Sequence, residues 1–449
     1  MLPFALDDGA LRGTRSSLLF FPAERVATNK VGAQGETSPS SLFFSTFNLE
    51  TIMGLTSKEY DPKNLPAEFL KTYGKNDNEI RVYASPARIN IIGEHIDYNG
   101  GKVFPAAIDR YLYVAIRKRA DSKIIYNDVR FPGTYEFDVN DNFTFDKKND
   151  YANYLNGILS QIKAQGYRLD SGFEILMVSN VPAGGGISSS SALECGFAYA
   201  VIDTFGLKID RVEIAKLGQM SEHNFMGVNC GIMDQFIIAT GKKNTAEMLD
   251  CATLEYEYAP LELGDYRFVV MNTNKVRKLS DSKYNERRSQ CEEALKILQD
   301  NGVDIKALCE LTPAKWEEVK YFVSDEIIQK RAKHCVYENQ RVLDAVLALK
   351  AGDLKKLGSL LNESHASLKN DYEVTGLELD TLAETSQKQP GCLGSRMTGA
   401  GFGGCAIALV HKDNVDGFIE NVQKEYTARV GYSAGFFVCS SGDGVSRFL

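Results

Sequence analysis

The sequence predicts an α+β protein in two domains, and three observations lead there. The chain has 449 residues, more than one hydrophobic core usually organises. Apolar residues make up 44% of it, enough for a core of ordinary size. Strand-like and helix-like segments follow one another without the strict βαβα rhythm of a parallel α/β sheet.

Residues 1–52 are rich in Ser, Thr, Gly and Ala and keep no sustained period, so they are expected to form a disordered or loosely packed extension. Met53 then opens a plausible mature sequence, MGLTSKEYDPKNLPAEFLKTYG. Residues 53–262 are assigned to a first domain and 263–449 to a second, with the boundary near Glu262–Asp265. From Ile80 the elements alternate. Ile80–Ala84, Tyr111–Arg117, Lys123–Asn127 and Thr134–Val139 read as strands. Asn153–Gln165 has helical spacing, and Phe173–Val178 is an apolar strand running into a glycine turn. Ser191–Phe205 and Ile209–Phe225 read as helices, the second bounded by Asp210. Tyr266–Met271 is a strand, Lys283–Gln299 a helix with charged faces, and Lys330–Lys350 with Ala351–Asn370 a helical pair. Cys405–Val410 and Ala434–Val438 are strands.

Charge and cysteine content exclude several classes. The net charge is −8 with mixed signs and no long like-charge block, which argues against nucleic acid or an anionic membrane as partner. No run approaches the ~18 apolar residues of a membrane span. Asp7 and Asp8 come too early for a signal peptide. Nine cysteines stand alone in apolar or helical surroundings, with no C-x-x-C pair and no zinc spacing. The expectation is buried thiols in a reducing, cytoplasmic setting.

Three segments carry chemistry. In Ser85–Gly101, SPARINIIGEHIDYNGG, four titratable residues (Arg88, Glu94, His95, Asp97) sit in a short apolar stretch. Burying unpaired charge is costly, so the segment reads as a pocket wall facing a polar ligand. In Asn180–Glu194, NVPAGGGISSSSALE, glycines turn the chain after a strand and serines open a helix. The free N–H groups and dipole of a helix N-terminus favour an anion, and phosphate is the natural occupant. No lysine follows the glycines, so this is not a Walker A loop. In Glu222–Gln235, EHNFMGVNCGIMDQ, Asp234 is either a helix cap or a held catalytic carboxylate. A fourth segment, Gly399–Gly404, matches G-x-G-x-x-G, but a strand follows it where a dinucleotide fold needs a helix. It reads either as a turn laid against the phosphate loop or as a tight hairpin.

Taken in order, these segments resemble the GHMP small-molecule kinases, and within them the galactokinase branch. GEHIDYNGG is similar to the sugar signature, PAGGGISSSSALE to the phosphate loop and SRMTGAGFGGCAIALV to the third motif. NCGIMDQF and the run from Asn274 to Glu293 add to the resemblance, which spans Ile80 to Leu449. It implies an N-terminal domain like the second domain of ribosomal protein S5, a ferredoxin-like C-terminal domain, and an active site in the cleft between them. It implies ATP-dependent phosphorylation of galactose at the anomeric hydroxyl, with Mg²⁺. Asp234 then stands at the catalytic aspartate and Arg88 at the arginine that contacts it. Glu94, His95, Ile96, Asp97 and Tyr284 fall at the sugar site. Gly184, Gly185, Gly186, Ile187, Ser188, Ser189 and Ser190 form the phosphate loop, and Ser190 and Glu222 hold the metal. Ile96, where threonine is commoner, also occurs in N-acetylgalactosamine kinases, so that sugar or another aldose is the alternative substrate. Asn127 stands where many bacterial members carry a nucleotide-contacting serine. A galactose- and ATP-binding sensor with weak turnover is the alternative of another class. The assembly expected is a monomer or weak homo-oligomer.

Overall fold

The structure is a computed structural model that describes residues 60–182, 186–275 and 280–449. The expected extension, 1–52, lies outside the described residues. In chain order the elements are α1 (Leu65–Tyr73), β1 (Arg81–Asn90), β2 (Lys102–Val103), β3 (Pro105–Lys118), β4 (Lys123–Asp128), β5 (Tyr135–Asp138), α2 (Ala152–Ala164), β6 (Phe173–Ser179), α3 (Ser189–Phe205), α4 (Arg211–Ser221), α5 (Met233–Thr240), β7 (Thr245–Asp250), β8 (Tyr256–Pro260) and β9 (Tyr266–Asn272). They continue with α6 (Ser280–Asp300), α7 (Pro313–Val319), α8 (Glu326–Lys350), α9 (Leu354–Ser367), α10 (Leu377–Ser386), β10 (Cys392–Thr398), β11 (Cys405–His411), α11 (Val415–Val430), β12 (Gly435–Cys439) and β13 (Ser446–Arg447).

The described strands form three sheets. Six make one in the order β13-β1-β3-β6-β4-β5, four make a second in the order β10-β11-β9-β12, and β2-β7-β8 form a small third. In the first sheet only β4 and β6 run parallel. The helix α3 packs on β1 and β3, and the main core lies between these helices and that sheet. On the sheet's other face, Leu65 and Phe69 of α1 cover Val82, Ala84, Tyr113, Ala115, Leu176 and Val178. β1 is therefore buried on both faces over nearly its whole length. A strand covered on both sides shows no alternation, which is why the sequence pattern stops at Ala84 while the strand runs on to Asn90. Its register slips between Pro86 and Ala87, a bulge that re-aims the residues after it.

Most predicted elements appear within a few residues of their expected ends. Asp210 does bound α4: its carboxylate accepts a hydrogen bond from Glu213 N–H at 2.9 Å. The pattern misses α1, α5, α7, α10, α11, β2, β10, β13 and the β7–β8 hairpin. The helix α5 is apolar nearly all round and buried, so it carries no amphipathic signal. The second half also differs in one respect from the simple cut at 262. β8 ends at Pro260 and β9 begins a different sheet at Tyr266, but β13 returns to the first sheet, pairing Arg447 with Tyr83 and Ser446 with Ala84. None of the nine cysteines, all among the described residues, forms a disulfide. Among the described residues no helix is long and apolar enough to cross a membrane.

Candidate active site

The bulge in β1 delivers Arg88 to the foot of the phosphate loop. Its guanidinium donates from Nε to Asp234 Oδ1 at 2.8 Å and from Nη2 to Asp234 Oδ2 at 2.7 Å. Nη1 donates to the Gly186 carbonyl at 3.0 Å. Asp234 lies in the first turn of α5, where the helix dipole favours a negative charge. Its oxygens bond side chains from other elements, so it is not acting as a helix cap. A third donor, the Ser188 hydroxyl, reaches Asp234 Oδ2. The Arg88 side chain is 4% exposed and that of Asp234 29%, so the pair is held from behind and open in front.

Gly186 to Ser190 bring this loop onto the N-terminus of α3; Gly184 and Gly185, also expected there, lie outside the described residues. Ile187 is buried, Ser189 is exposed and Ser190 half-buried. Ser188 has φ of +65°, and His95 across the site has φ of +63°. Left-handed backbone at non-glycine residues is costly and gathers at functional sites. The β10–β11 turn closes over the loop from the second sheet. A Cβ on Gly399 would come within 2.7 Å of the Gly186 carbonyl, so only glycine permits this backbone-on-backbone approach. The G-x-G-x-x-G stretch is thus both a hairpin turn and a lid on the phosphate loop.

The sugar-signature turn shows a division that sequence did not reveal. Glu94 is buried: Oε2 pairs with Arg396, and Oε1 accepts from Gly399 N–H at 2.9 Å. Burial raises its affinity for a proton, and Arg396 opposes that. His95 uses both ring nitrogens on the protein, Nε2 donating to the Ala400 carbonyl at 3.1 Å and Nδ1 accepting from the Tyr98 hydroxyl at 2.8 Å. Burial, with His334 nearby, pulls its pKa down to about 3, so it is neutral. Ile96 is fully buried and packs on Gly101. These three side chains frame the turn. Asp97 is only partly buried, and its Oδ1 accepts from Tyr98 N–H at 3.1 Å. Burial, then the charge of Asp234, pushes its pKa up to about 7. Opposite it is Gly231, where a Cβ would lie 1.7 Å from Asp97 Oδ2. Tyr284, from the first turns of α6, places its ring 5.5 Å from that of His95 and 5.4 Å from that of Tyr98.

Behind Ser190, Glu222 begins a single π-type turn after α4, and Glu194 of α3 is fully buried beside it. Neither Glu194 oxygen has a hydrogen-bond partner; Ser221 and Gln235 face it short of bonding geometry. Burial and then the Glu222 carboxylate raise the Glu194 pKa well above the usual carboxylate range. Among the described residues no group of three His, Cys, Asp or Glu side chains is placed to hold a metal ion by itself, so a cation here would need other oxygens as well. Beside β6, which feeds the loop, an open cleft of about 450 Å³ is lined by Val129, Arg130, Phe131 and Leu176. Asn127 at its edge is already committed, to Tyr73 and Thr134 at 2.8 Å each.

Residues 67–118 match the galactokinase galactose-binding signature, 153–242 the GHMP kinases N terminal domain and 345–428 the GHMP kinases C terminal. The chain is 47% identical over 387 residues to a galactokinase of Fusobacterium nucleatum, covering 86% of this chain and 99% of that protein. It is 48% identical to a galactokinase of Clostridium beijerinckii, covering 85% and 98%. The crystal structure of Lactococcus lactis galactokinase complexed with galactose superposes with a TM-score of 0.83 at 48% identity, over 85% of this chain and 98% of that one.

The chain belongs to the galactokinase family.

Membership makes it a kinase, an enzyme of ATP-dependent phosphoryl transfer built on the GHMP fold. The fold reaches beyond galactokinases: Methanococcus jannaschii mevalonate kinase aligns with a TM-score of 0.58 at 20% identity, a likeness of fold alone. Sequence reading had placed the galactokinase motifs but missed several residues that hold them. Arg396 and Gly231 lie inside motif segments and Glu338 in a long helix, but the sequence does not name their partners across the fold.

Proposed function

We propose that the protein transfers the γ-phosphoryl group of ATP to the anomeric hydroxyl of galactose, giving galactose 1-phosphate and ADP. The observation that carries this reading is the two-point pairing of Arg88 with Asp234 at the foot of the phosphate loop. Phosphoryl transfer is mostly positioning and charge stabilisation. Asp234, fixed by Arg88 and Ser188, would orient or accept the anomeric proton. Arg88, already bonded to the Gly186 carbonyl, would sit where charge grows on the transferring group. The amides opening α3 would take the phosphates, and the cleft by Phe131 and Leu176 the base. Asp97 and Tyr284 would face the sugar, while Glu94 and His95 keep the turn in place. Ser190 and Glu222 would hold Mg²⁺, which supplies charge neutralisation across the β and γ oxygens. The absence of disulfides among the described cysteines fits a cytoplasmic setting.

Ile96 is fully buried, which favours a packing role for it over a contact that selects N-acetylgalactosamine. The test is a coupled assay of ADP release over a panel of hexoses with Mg²⁺. Galactose is expected to give the highest kcat/KM. About tenfold higher kcat/KM on N-acetylgalactosamine would displace it, since a difference of that size reports one substituent's worth of pocket contact. Stoichiometric binding of galactose and ATP without ADP release would instead favour the sensor reading.

A further inference from the structure

Four side chains from the second half of the chain hold the backbone of the sugar-signature turn. Arg396 Nη1 donates to the carbonyls of Asn90 at 3.1 Å and Ile91 at 3.0 Å. Glu338 Oε1 accepts from Gly93 N–H at 3.1 Å. His334 Nε2 donates to the Glu94 carbonyl at 3.1 Å. Thr398 Oγ1 bonds both the N–H and the carbonyl of Asn90, at 3.0 and 3.1 Å. β1 ends at Asn90, so these backbone groups have no further strand to bond, and unmet they would be costly in a buried place.

At the centre is Arg396, whose side chain is 0% exposed. Besides the two carbonyls it pairs with Glu94, lies 3.9 Å from Glu338 Oε1, and donates from Nε to Ser364 Oγ at 3.2 Å. Glu338 is itself paired with Arg341 at 2.7 Å and accepts from Ser364. Two arginines and two glutamates balance. Burial alone would make Glu338 harder to ionise, but Arg341, His334 and Arg396 bring its pKa down to about 2. His334 is kept neutral by burial, with a pKa of about 4. A buried ion pair is weak evidence for stability, because desolvation consumes most of the attraction. What this cluster secures is direction: Nη1 and Nη2 of Arg396 end on the turn, and Nε ends on Ser364, which donates to Glu338, itself bonded to the turn.

We propose that Arg396 is a positioning residue for sugar binding, acting through Glu94 and the backbone of residues 90–94 to set the placement of Asp97 against Tyr284. The proposal rests on the sugar-kinase reading above and names a residue that never touches the sugar.

The experiment measures steady-state kinetics of Arg396→Lys, Arg396→Met and Ser364→Ala beside the wild type, with circular dichroism and thermal melting to establish folding. A shift in the turn should raise the KM for galactose about tenfold or more in Arg396→Lys, with the KM for ATP and kcat within about threefold. The lysine keeps charge but cannot serve two carbonyls and a carboxylate together, so it should rescue part of the loss seen with methionine. Ser364→Ala removes one hydroxyl without stranding a charge, and its KM for galactose should rise about twofold to threefold. A folded Arg396→Lys enzyme with unchanged KM for galactose would overturn the proposal, as would a fall in kcat alone that tracks the folded fraction. Should neither Arg396 variant fold, Ser364→Ala decides, and an unchanged KM overturns the idea. Wild-type enzyme inert on galactose but active on another hexose would refute the substrate assignment only, and the same KM comparison on that hexose still tests Arg396.

Discussion

Two arginine–carboxylate pairs flank the sugar-signature turn, and they differ in one physical respect. Arg88–Asp234 lies on one side with its carboxylate 29% exposed, while Arg396–Glu94 lies on the other with both side chains at 1% or less. Chemistry alone does not separate them, since each joins a guanidinium to an acid on a distant segment. Access does. The open carboxylate can meet a substrate proton and recover, whereas the sealed one meets only protein. On the proposed reading the first pair serves the reaction and the second the geometry around it, although Arg88 and Glu94 stand only a few residues apart.

If that distinction holds, the two pairs should fail in different ways. The largest effect is expected at the open pair. Asp234→Ala should lower kcat by about 10²–10⁴, the range for losing a positioned acid–base group, while galactose binding by calorimetry stays near wild type. Retention of more than about a tenth of kcat would remove Asp234 from its central role. At the sealed cluster the expected loss is in folding. Glu338→Ala leaves Arg341 and Arg396 facing a gap, and urea unfolding should show a loss of about 3–5 kcal/mol. A destabilisation under about 1 kcal/mol would mean that the cluster is not tightly coupled.

A smaller effect concerns pH. Asp97 has its pKa pushed up to about 7, by burial first and then by Asp234, with Glu94 adding to it and the Tyr98 and Asp97 amides opposing. A hydroxyl donates to the ionised carboxylate, so the proton must leave before the sugar binds well. Affinity should therefore rise with pH through about 7, and KM for galactose should be about tenfold lower at pH 8 than at pH 6. His95 is neutral throughout this range and contributes nothing to the slope. In Asp97→Asn the slope should vanish; a slope that persists would assign it to another group. The smallest effect is at Ile96. Ile96→Val should cost about 0.5–1.5 kcal/mol of stability, as a lost buried methylene does, and leave the ratio of galactose to N-acetylgalactosamine turnover unchanged.

The sequence made the open pair legible and left the sealed one dark. Glycines before a helix, serines at its start and an acid after a small-residue turn are local signals, because local backbone chemistry imposes them. The strands β4, β6, β9 and β11 were visible for the same reason, as short apolar runs between turn residues. Arg396 lies in SRMT, ahead of a glycine turn, and Glu338 in the middle of a long helix. The glycine motif beside Arg396 is legible, but neither it nor the helix around Glu338 says that the partners are Glu94 and Gly93. Sequence placed Glu94 and His95 in the turn but not the groups that approach them from β10 and the turn after it: Arg396 and Gly399 meet Glu94, and Ala400 meets His95.

The pairing of β13 with β1 also bears on how the chain assembles in time. Val82 gives both its N–H and its carbonyl to residues 448 and 449, and Tyr83 pairs with Arg447. Synthesis delivers β1 long before β13, so the strand that carries Arg88 waits through nearly the whole of translation with one edge bare. Such long-range pairings form slowly, and a bare apolar edge is an invitation to other nascent chains. Pro86 stands on that edge, two residues beyond Ala84 in the strand's alternation, where it offers no N–H to a stray partner. The residue that looks out of place in a buried strand is thus a guard for the interval before folding is finished.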